Sequence, residues 1–583
     1  MCGIIGVAGN IPEEKLFTSA RDVLAHRGPD GSGTYHALEE GIALGHRRLS
    51  IIDLSDAGKQ PMHSHDGRYV ITFNGEIYNY LELKEELAKR YPFKTKTDTE
   101  VLLAAYATWG KKCLKHLNGM YAFAIWDRKE RVLFCARDHL GIKPFFYHLA
   151  ENGTFYFASE IKGLRALGVK YVHNAGIVYD YLYHGFYDHS EETFFKGINS
   201  LRAGQFLEWR DGKISIQKYW DLADIVPSEE VLSDEQVRSR FEELLTDAVR
   251  LQFRSDVPVG ISLSSGLDSN GLLYFTEKKT PRAPHMVSMC MQSERYDECR
   301  LTDTYLDSNQ RKRWHPKYLS PEEIFGRIVE MTKVEDQPFG GVSTTGLLFL
   351  YEHAREAGLT VLLDGDGLDE ILAGYKYYSY DIANGAERKP LSGTLSHDGT
   401  TFLDQAILSP AFVEAHSERK LGFEIPFASA LQNAQYRDIK HTRLSRDLRF
   451  KDHASMHSGR ELRVPFLDYR LVEFCFFLPA KYKIRGNAQK VLARDVLGGY
   501  VPAVVCARPK TAFPAVQVEW FRQGHYRNEI FSILESTSFM NRGFYDHKKL
   551  MAKVDAFYRG EGDNSFFIWQ CVNLELWFRT SID

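Results

Sequence analysis

Apolar positions in the N-terminal third recur in short alternating runs broken by glycine, asparagine and aspartate: GIIGVAG, RYVITFNGEIYN, YAFAIWD, RVLFCARD and TFYFASE. A period of two predicts strands, whereas the wider spacing in LELKEELAKRY and DTEVLLAAYATWG predicts two helices. Many strands with few helices point to stacked antiparallel sheets with helices on their outer faces, an α+β architecture. QFLEWRDG and KISIQKYW predict a closing hairpin, with DLADIVPSEEVLSDE as a polar linker after it.

Beyond the linker the period changes. EQVRSRFEELLTDAVRLQF places Val237, Phe241, Leu244, Leu245, Ala248 and Leu251 on one helical face. VPVGISLS reads as a buried strand running into the loop SSGLDS, and LTVLLDG as a second that ends in DGLDE. Strands alternating with helices, with loops at their C-terminal ends, predict a parallel α/β sheet with its site at those ends. The stretch 381–445 has weak periodicity and resists assignment, and the last hundred residues read as mostly helical. The expected division is a first domain over 2–205, hairpin and linker over 206–234, and a second domain over 235–583.

Composition narrows the class. A chain of 583 residues is too long for one core, so at least two domains are expected. Its 44% apolar and 26% charged content is ordinary for a globular protein. A formal net charge of −4 gives no footprint for nucleic acid or an anionic membrane. No apolar run approaches a membrane span, and no secretory leader is visible, so a cytoplasmic enzyme is expected. Eight cysteines, at 2, 113, 135, 290, 299, 475, 506 and 571, form no CxxC pair. That spacing argues against a disulfide framework and a structural zinc site.

Candidate chemistry begins at Cys2. Removal of the initiator methionine would put a thiol and a free α-amine on one residue, a nucleophile paired with a base. HRGPDG (His26–Gly31) and GHRRLSIID (Gly45–Asp53) bring arginines, whose planar fork pairs bidentately with a carboxylate. NGEIYN (Asn74–Asn79) offers an amide side chain and a glycine N–H, two donors suited to an oxyanion. TDTE (Thr97–Glu100) offers carboxylates for a substrate ammonium. Each also has a plain reading: NGE as a turn, Asp98 as a helix cap, an arginine as a solvated charge.

Together these segments resemble the class II glutamine amidotransferases over residues 1–205. The resemblance implies an Ntn-hydrolase-like fold in which Cys2 attacks the glutamine side-chain amide and releases ammonia through a thioester. It further implies that Arg48 binds the glutamine carboxylate, Asn74 and Gly75 form the oxyanion hole, and Glu76 and Asp98 hold the amine. RDHLGIKP (Arg137–Pro144) and FASEIKGL (Phe157–Leu164) also match, and are read as structural.

In the second domain, a glycine-containing loop between strand and helix suits phosphate, since backbone N–H groups face the anion. SSGLDS (Ser264–Ser269) fits, with Asp268 available to Mg²⁺, and DGDGLDE (Asp364–Glu370) adds carboxylates after another strand. RVPFLD (Arg463–Asp468), Lys490, and Arg508 and Lys510 in RPKTAF supply further charge, each also readable as a surface charge. With HASMHSGRELRVPFLD and LNGMYAFAIWD, these segments are similar to the glutamine-hydrolysing asparagine synthetases, whose second domain is ATP-pyrophosphatase-like. The resemblance implies glutamine, ATP with Mg²⁺, and an acceptor carboxylic acid, with aspartate the best single choice. It places ATP or pyrophosphate against Ser264, Ser265, Gly266, Leu267, Asp268, Ser269 and Gly365, and metal on Asp268 and Asp369. Lys490 and Asp366 are the implied catalytic residues, Lys490 meeting the departing charge and Asp366 handling a proton. Neither nucleic acid nor membrane is implied, and a homodimer is left open.

The departures gather near the acceptor. The family pattern SGGLDS reads SSGLDS here, with Ser265 in place of a permissive glycine. SGEGSDE reads DGDGLDE, with Asp364 and Leu368 replacing serines and Asp366 replacing a glutamate one methylene longer. RPKTAF has Ala512 where glycine is common. An acceptor other than aspartate, a sugar-phosphate isomerase as second domain, and a non-catalytic protein with a decayed ATP site all stay open at this point.

Overall fold

The computed structural model describes residues 2–280, 282–291, 297–379, 403–507 and 514–583. Arg508, Lys510 and Ala512 lie outside the described residues, as does 381–402 of the stretch that resisted assignment. The N-terminal half contains strands β1 (Gly3–Ala8), β2 (Gly31–Ala37), β3 (Ile42–Arg48), β4 (Met62–His63), β5 (Tyr69–Ile77), β6 (Gly119–Asp127), β7 (Val132–Arg137), β8 (Phe146–Leu149), β9 (Phe155–Ala158), β10 (Asn199–Ser200), β11 (Gln205–Arg210) and β12 (Lys213–Lys218). They form two antiparallel sheets, ordered β10-β8-β9-β1-β3-β2 and β12-β11-β7-β6-β5-β4. Ile4, Leu44, Phe155 and Phe157 of one sheet pack on Val70, Ala124, Trp126 and Leu133 of the other, all buried. This is the stacked antiparallel architecture expected from the period-two pattern.

The two expected helices form at Tyr80–Leu87 and Asp98–Trp109 and cover the outer face of the second sheet. A third helix, Glu14–Asp22, was not legible, although its Phe17 and Ala20 pack on Ile5, Val7 and Ala43 of the first sheet. The hairpin β11–β12 forms as expected and extends the second sheet through pairing of β11 with β7.

The C-terminal half begins with helix Asp234–Gln252, capped by Ser233 and Gln236 reciprocally, and all six predicted face residues are buried. Strands β13 (Val259–Ser262), β14 (His285–Met291), β15 (Trp314–Leu319), β16 (Val361–Leu363) and β17 (Glu461–Arg463) make a parallel sheet ordered β15-β14-β13-β16-β17. The chain winds outward from β13 to β15, then returns to β13's other side with β16. Such a reversal opens a crevice at the C-terminal ends of β13 and β16, and the loops 264–269 and 364–370 emerge there. Among the described residues, the last hundred are mostly helical. Leu49, Ile51, Tyr78, Met120 and Ile142 of the first half share one core with Leu263, Leu363, Phe466 and Leu467 of the second. No helix among the described residues is long and apolar enough to cross a membrane.

One expectation is corrected. Cys290, at the end of β14, is bonded to Cys299 in helix Glu298–Tyr305. A strand end and a helix start nine positions apart in the sequence thus come together, a proximity that cysteine spacing alone does not signal.

Candidate active sites

Cys2 lies just before β1 and faces β5, so the pairing of two sheets creates the first site. Its backbone N–H donates to Asn74 Oδ1 at 2.9 Å, and its carbonyl accepts from Arg27 Nε at 3.1 Å. The thiol points toward the Leu49 carbonyl, 3.9 Å away, and burial pushes it above its ordinary range. With Asn74 Oδ1 occupied, the two Nδ2 hydrogens stay buried without a partner among the described residues. A buried donor left unpaired costs about 1–3 kcal/mol, so a developing oxyanion there would repay it. Gly75 has φ +155°, and a Cβ on it would fall 2.1 Å from the Met120 carbonyl oxygen. Only glycine fits this close strand.

Arg48 ends β3 and lines the same pocket as Cys2, Gly75, Glu76 and Asp98. Its guanidinium donates to the carbonyls of Ser55 at 2.7 Å and Ile52 at 3.4 Å, and to that of Asp53, which fixes the fork. Thr97, not Asp98, caps helix Asp98–Trp109. Asp98 is thereby released to accept the Ile77 N–H through Oδ2 at 2.9 Å, and burial raises its carboxyl to about 6. Glu76 is buried beside it and is pushed well above the carboxylate range by burial, then by Glu461 and Asp98.

The second site forms where the two loops meet. Ser264 N–H donates to Ser269 Oγ at 3.0 Å, and Asn270 Nδ2 donates to the Ser264 and Gly266 carbonyls at 2.9 and 2.8 Å. These bonds curl the loop onto the N-terminus of helix Leu267–Lys279, which carries Asp268 in its first turn. Ser265 is buried, its N–H 3.4 Å from Glu298 Oε2. Gly365 packs so tightly on that turn that a Cβ would lie 3.0 Å from Asp268 Cβ and 3.1 Å from Ser269 N.

Lys490 joins the loops. Its Nζ lies 2.6 Å from Asp268 Oδ2 and 2.8 Å from Asp369 Oδ1. Burial alone would lower this ammonium, but the two carboxylates outweigh it and hold it above the ordinary lysine range. Lys490 sits at φ +54°, a left-handed conformation that costs a non-glycine residue roughly 1–3 kcal/mol. Asp364 and Asp366 pair instead with Lys451, at 2.8 and 2.6 Å. Burial and then Asp364 lift Asp366 to about 8.

Among the described residues, no group of three or more His, Cys, Asp or Glu side chains is set to hold a metal. Asp268 and Asp369 nevertheless suit Mg²⁺, a hard cation that takes one or two carboxylates and completes its shell with water and phosphate oxygens. Their convergence on one ammonium shows that the two carboxylates bracket a single cationic position.

Several charges fall elsewhere than expected. Arg463 is neither a surface charge nor part of the phosphate loop: it is fully buried, 2.6 Å from Glu461 and 3.7 Å from Glu76. Its backbone carbonyl accepts the Asp364 N–H at 2.8 Å, so one residue touches both sites. RDHLGIKP and FASEIKGL carry interface charges that sequence reading missed. Arg27 bridges Glu160 and Asp452 at 2.8 and 2.9 Å, Lys143 lies 3.6 Å from Asp452, and Lys162 pairs with Glu160 and Asp336. Lys451 was also missed. It stands 87 positions from Asp364, and nothing local in the sequence ties the two together.

Residues 1–220 match the glutamine amidotransferase domain family, and residues 240–579 match the asparagine synthase family. The chain belongs to the asparagine synthase family. "Asparagine synthetase [glutamine-hydrolyzing] 1" of Bacillus subtilis (strain 168) is 30% identical across 100% of this chain and 97% of its own length. A "Putative asparagine synthetase [glutamine-hydrolyzing] 2" of Methanocaldococcus jannaschii is 36% identical over 64% of this chain and 76% of its own. "Amidase chry2" of Gibberella zeae is 27% identical over 94% of this chain and 92% of its own. The chain is thus an asparagine synthase-family ligase with a fused amidotransferase domain. Relatives under two different names share its full length, so family membership leaves the acceptor unassigned.

Proposed function

We propose that this chain makes amides from glutamine nitrogen, with residues 2–205 as glutaminase, 206–234 as connector and 235–583 as ATP-dependent synthetase. The Cys2 thiolate attacks the glutamine side-chain carbonyl, with the α-amine freed by methionine removal as its base. Asn74 Nδ2 and the Gly75 N–H meet the oxyanion, Arg48 takes the substrate carboxylate, and Glu76 and Asp98 face its ammonium. Collapse releases ammonia and leaves a γ-glutamyl thioester, which water hydrolyses to glutamate.

In the second site the loop Ser264–Ser269, with Gly365 against it, cradles the β- and γ-phosphates of ATP. Bound Mg²⁺ on Asp268 and Asp369 would neutralise phosphate charge. An acceptor carboxylate oxygen attacks the α-phosphorus and pyrophosphate departs beside Lys490. Ammonia then attacks the acyl-adenylate, AMP leaves, and Asp366 relays the proton shed by the new amide nitrogen, accepting it on one carboxyl oxygen as its own proton passes to water. The observation that carries this reading is the Lys490 bridge between Asp268 and Asp369, which joins two loops across the sheet's switch point. An isomerase would have no use for such a bridge.

Aspartate, giving asparagine, is the acceptor the family resemblance alone selects. The Lys451–Asp364–Asp366 cluster favours a second reading, the same chemistry on another carboxylic acid. The test is pyrophosphate and AMP release with MgATP and glutamine across a panel of carboxylic acids. Release with at least one acid, matched by amide formed, is expected. Intact glutamine hydrolysis without release for any acid would refute the proposal.

A further inference from the structure

Asp364 and Asp366 reach the same ammonium, and that ammonium arrives from helix Arg443–His457. Lys451 keeps 20% of its side chain exposed and Asp366 keeps 27%, so the cluster is partly open to solvent at the edge of a core. Gly365, between the two aspartates, packs on Asp268 and Ser269, which puts the cluster on the rim of the crevice that holds Lys490. Tyr351 stands fully buried within electrostatic reach of Asp364, Asp366 and Lys451. Its hydroxyl has no hydrogen-bond partner among the described residues.

An ionised carboxylate only accepts hydrogen bonds, and it recognises a substrate ammonium by offering lone pairs and charge. Here both carboxylates already pair with Lys451. That ammonium has three N–H donors and spends one of them on Asp364 Oδ1, and Tyr351 adds an unspent O–H. Burial and then Asp364 raise the Asp366 carboxyl to about 8, toward its neutral acid. With the Lys451 ammonium set between the two carboxylates, the cluster presents donors and little net charge.

We propose that Lys451 is a specificity-determining residue that selects a carboxylic acid bearing oxygen acceptors, and no ammonium group, at the end facing Asp364 and Asp366. The assignment rests on the amidation reading and names the acceptor class for that site. It also explains why the departures occur together: the extra carboxylate Asp364 and the shortened Asp366 share one compensating cation.

The test uses matched acids that differ only in the ammonium: succinate against aspartate, glutarate against glutamate, and 3-phenylpropionate against phenylalanine. Pyrophosphate release is followed with MgATP and ammonium chloride, which bypasses the glutaminase site. The full-length enzyme should favour the ammonium-free member of the pairs it uses by about tenfold or more in kcat/KM. Lys451→Met should collapse that ratio while glutamine hydrolysis persists, and Lys451→Arg should largely restore it. Preference for the amino acid in each pair, or a ratio unmoved by Lys451→Met, would overturn the assignment and leave amidation standing. No release with any acid would overturn the amidation reading and this assignment together.

Discussion

The two sites are held by different means. Around Cys2 the working groups hang on backbone: Asn74 on the Cys2 N–H, Asp98 on the Ile77 N–H, Arg48 on the carbonyls of residues 52, 53 and 55. Around Lys490 they hang on one another, as ion pairs between segments far apart in the sequence. A site anchored to strand register offers little room for change, since a substitution must respect backbone already committed to a sheet. A site anchored on reciprocal charge can absorb a changed carboxylate where a cation faces it, and in DGDGLDE Lys451 faces both Asp364 and Asp366. The contrast explains how one chemistry for obtaining nitrogen can serve different acceptors.

The largest effect that would break this contrast is at the nucleophile. Cys2→Ala should eliminate glutamine-dependent amide synthesis, a loss of about 10³-fold or more, while ammonia-dependent synthesis continues. Comparing pyrophosphate release with the two nitrogen sources checks it, and equal loss with both would mean the sites are not separable. Next is Lys490→Met, which removes the ammonium that bridges Asp268 and Asp369. Pyrophosphate release should fall about 10²–10³-fold with either nitrogen source, and glutamine hydrolysis should remain. A smaller effect sharpens the first site. Asp98 titrates near 6 because it is buried, so it gains a proton as pH falls through that value and loses its hold on an ammonium. The KM for glutamine should therefore rise below about pH 6 with kcat changing less, and Asp98→Asn should flatten the profile. An unchanged KM across that range would remove Asp98 from substrate binding.

Legibility in the sequence followed the same division. The strand pattern placed both antiparallel sheets, the helical face Val237–Leu251, and the loops after β13 and β16, because each is written in local periodicity. Cys2, Asn74, Gly75 and Asp98 stood out in their local segments, although Asn74 and Gly75 lie inside β5 rather than in the turn that NGE suggests. Arg463 did not, since its burial against Glu76 depends on two halves of the chain docking. Lys451 was hidden likewise, an unremarked lysine on a helix until the fold brings it to Asp364 and Asp366. The Arg27–Asp452 and Lys143–Asp452 pairs also cross from one half to the other, beyond the reach of any local pattern.

On the proposed function, ammonia freed at Cys2 is consumed in the second site rather than lost to solvent. That consumption is tested most directly by supplying glutamine labelled with ¹⁵N in its amide, together with MgATP, the acceptor acid and an excess of unlabelled ammonium. The product amide is then read by mass spectrometry. The amide should carry the glutamine label almost undiluted. An amide whose label matches the mixed ammonium pool would contradict it.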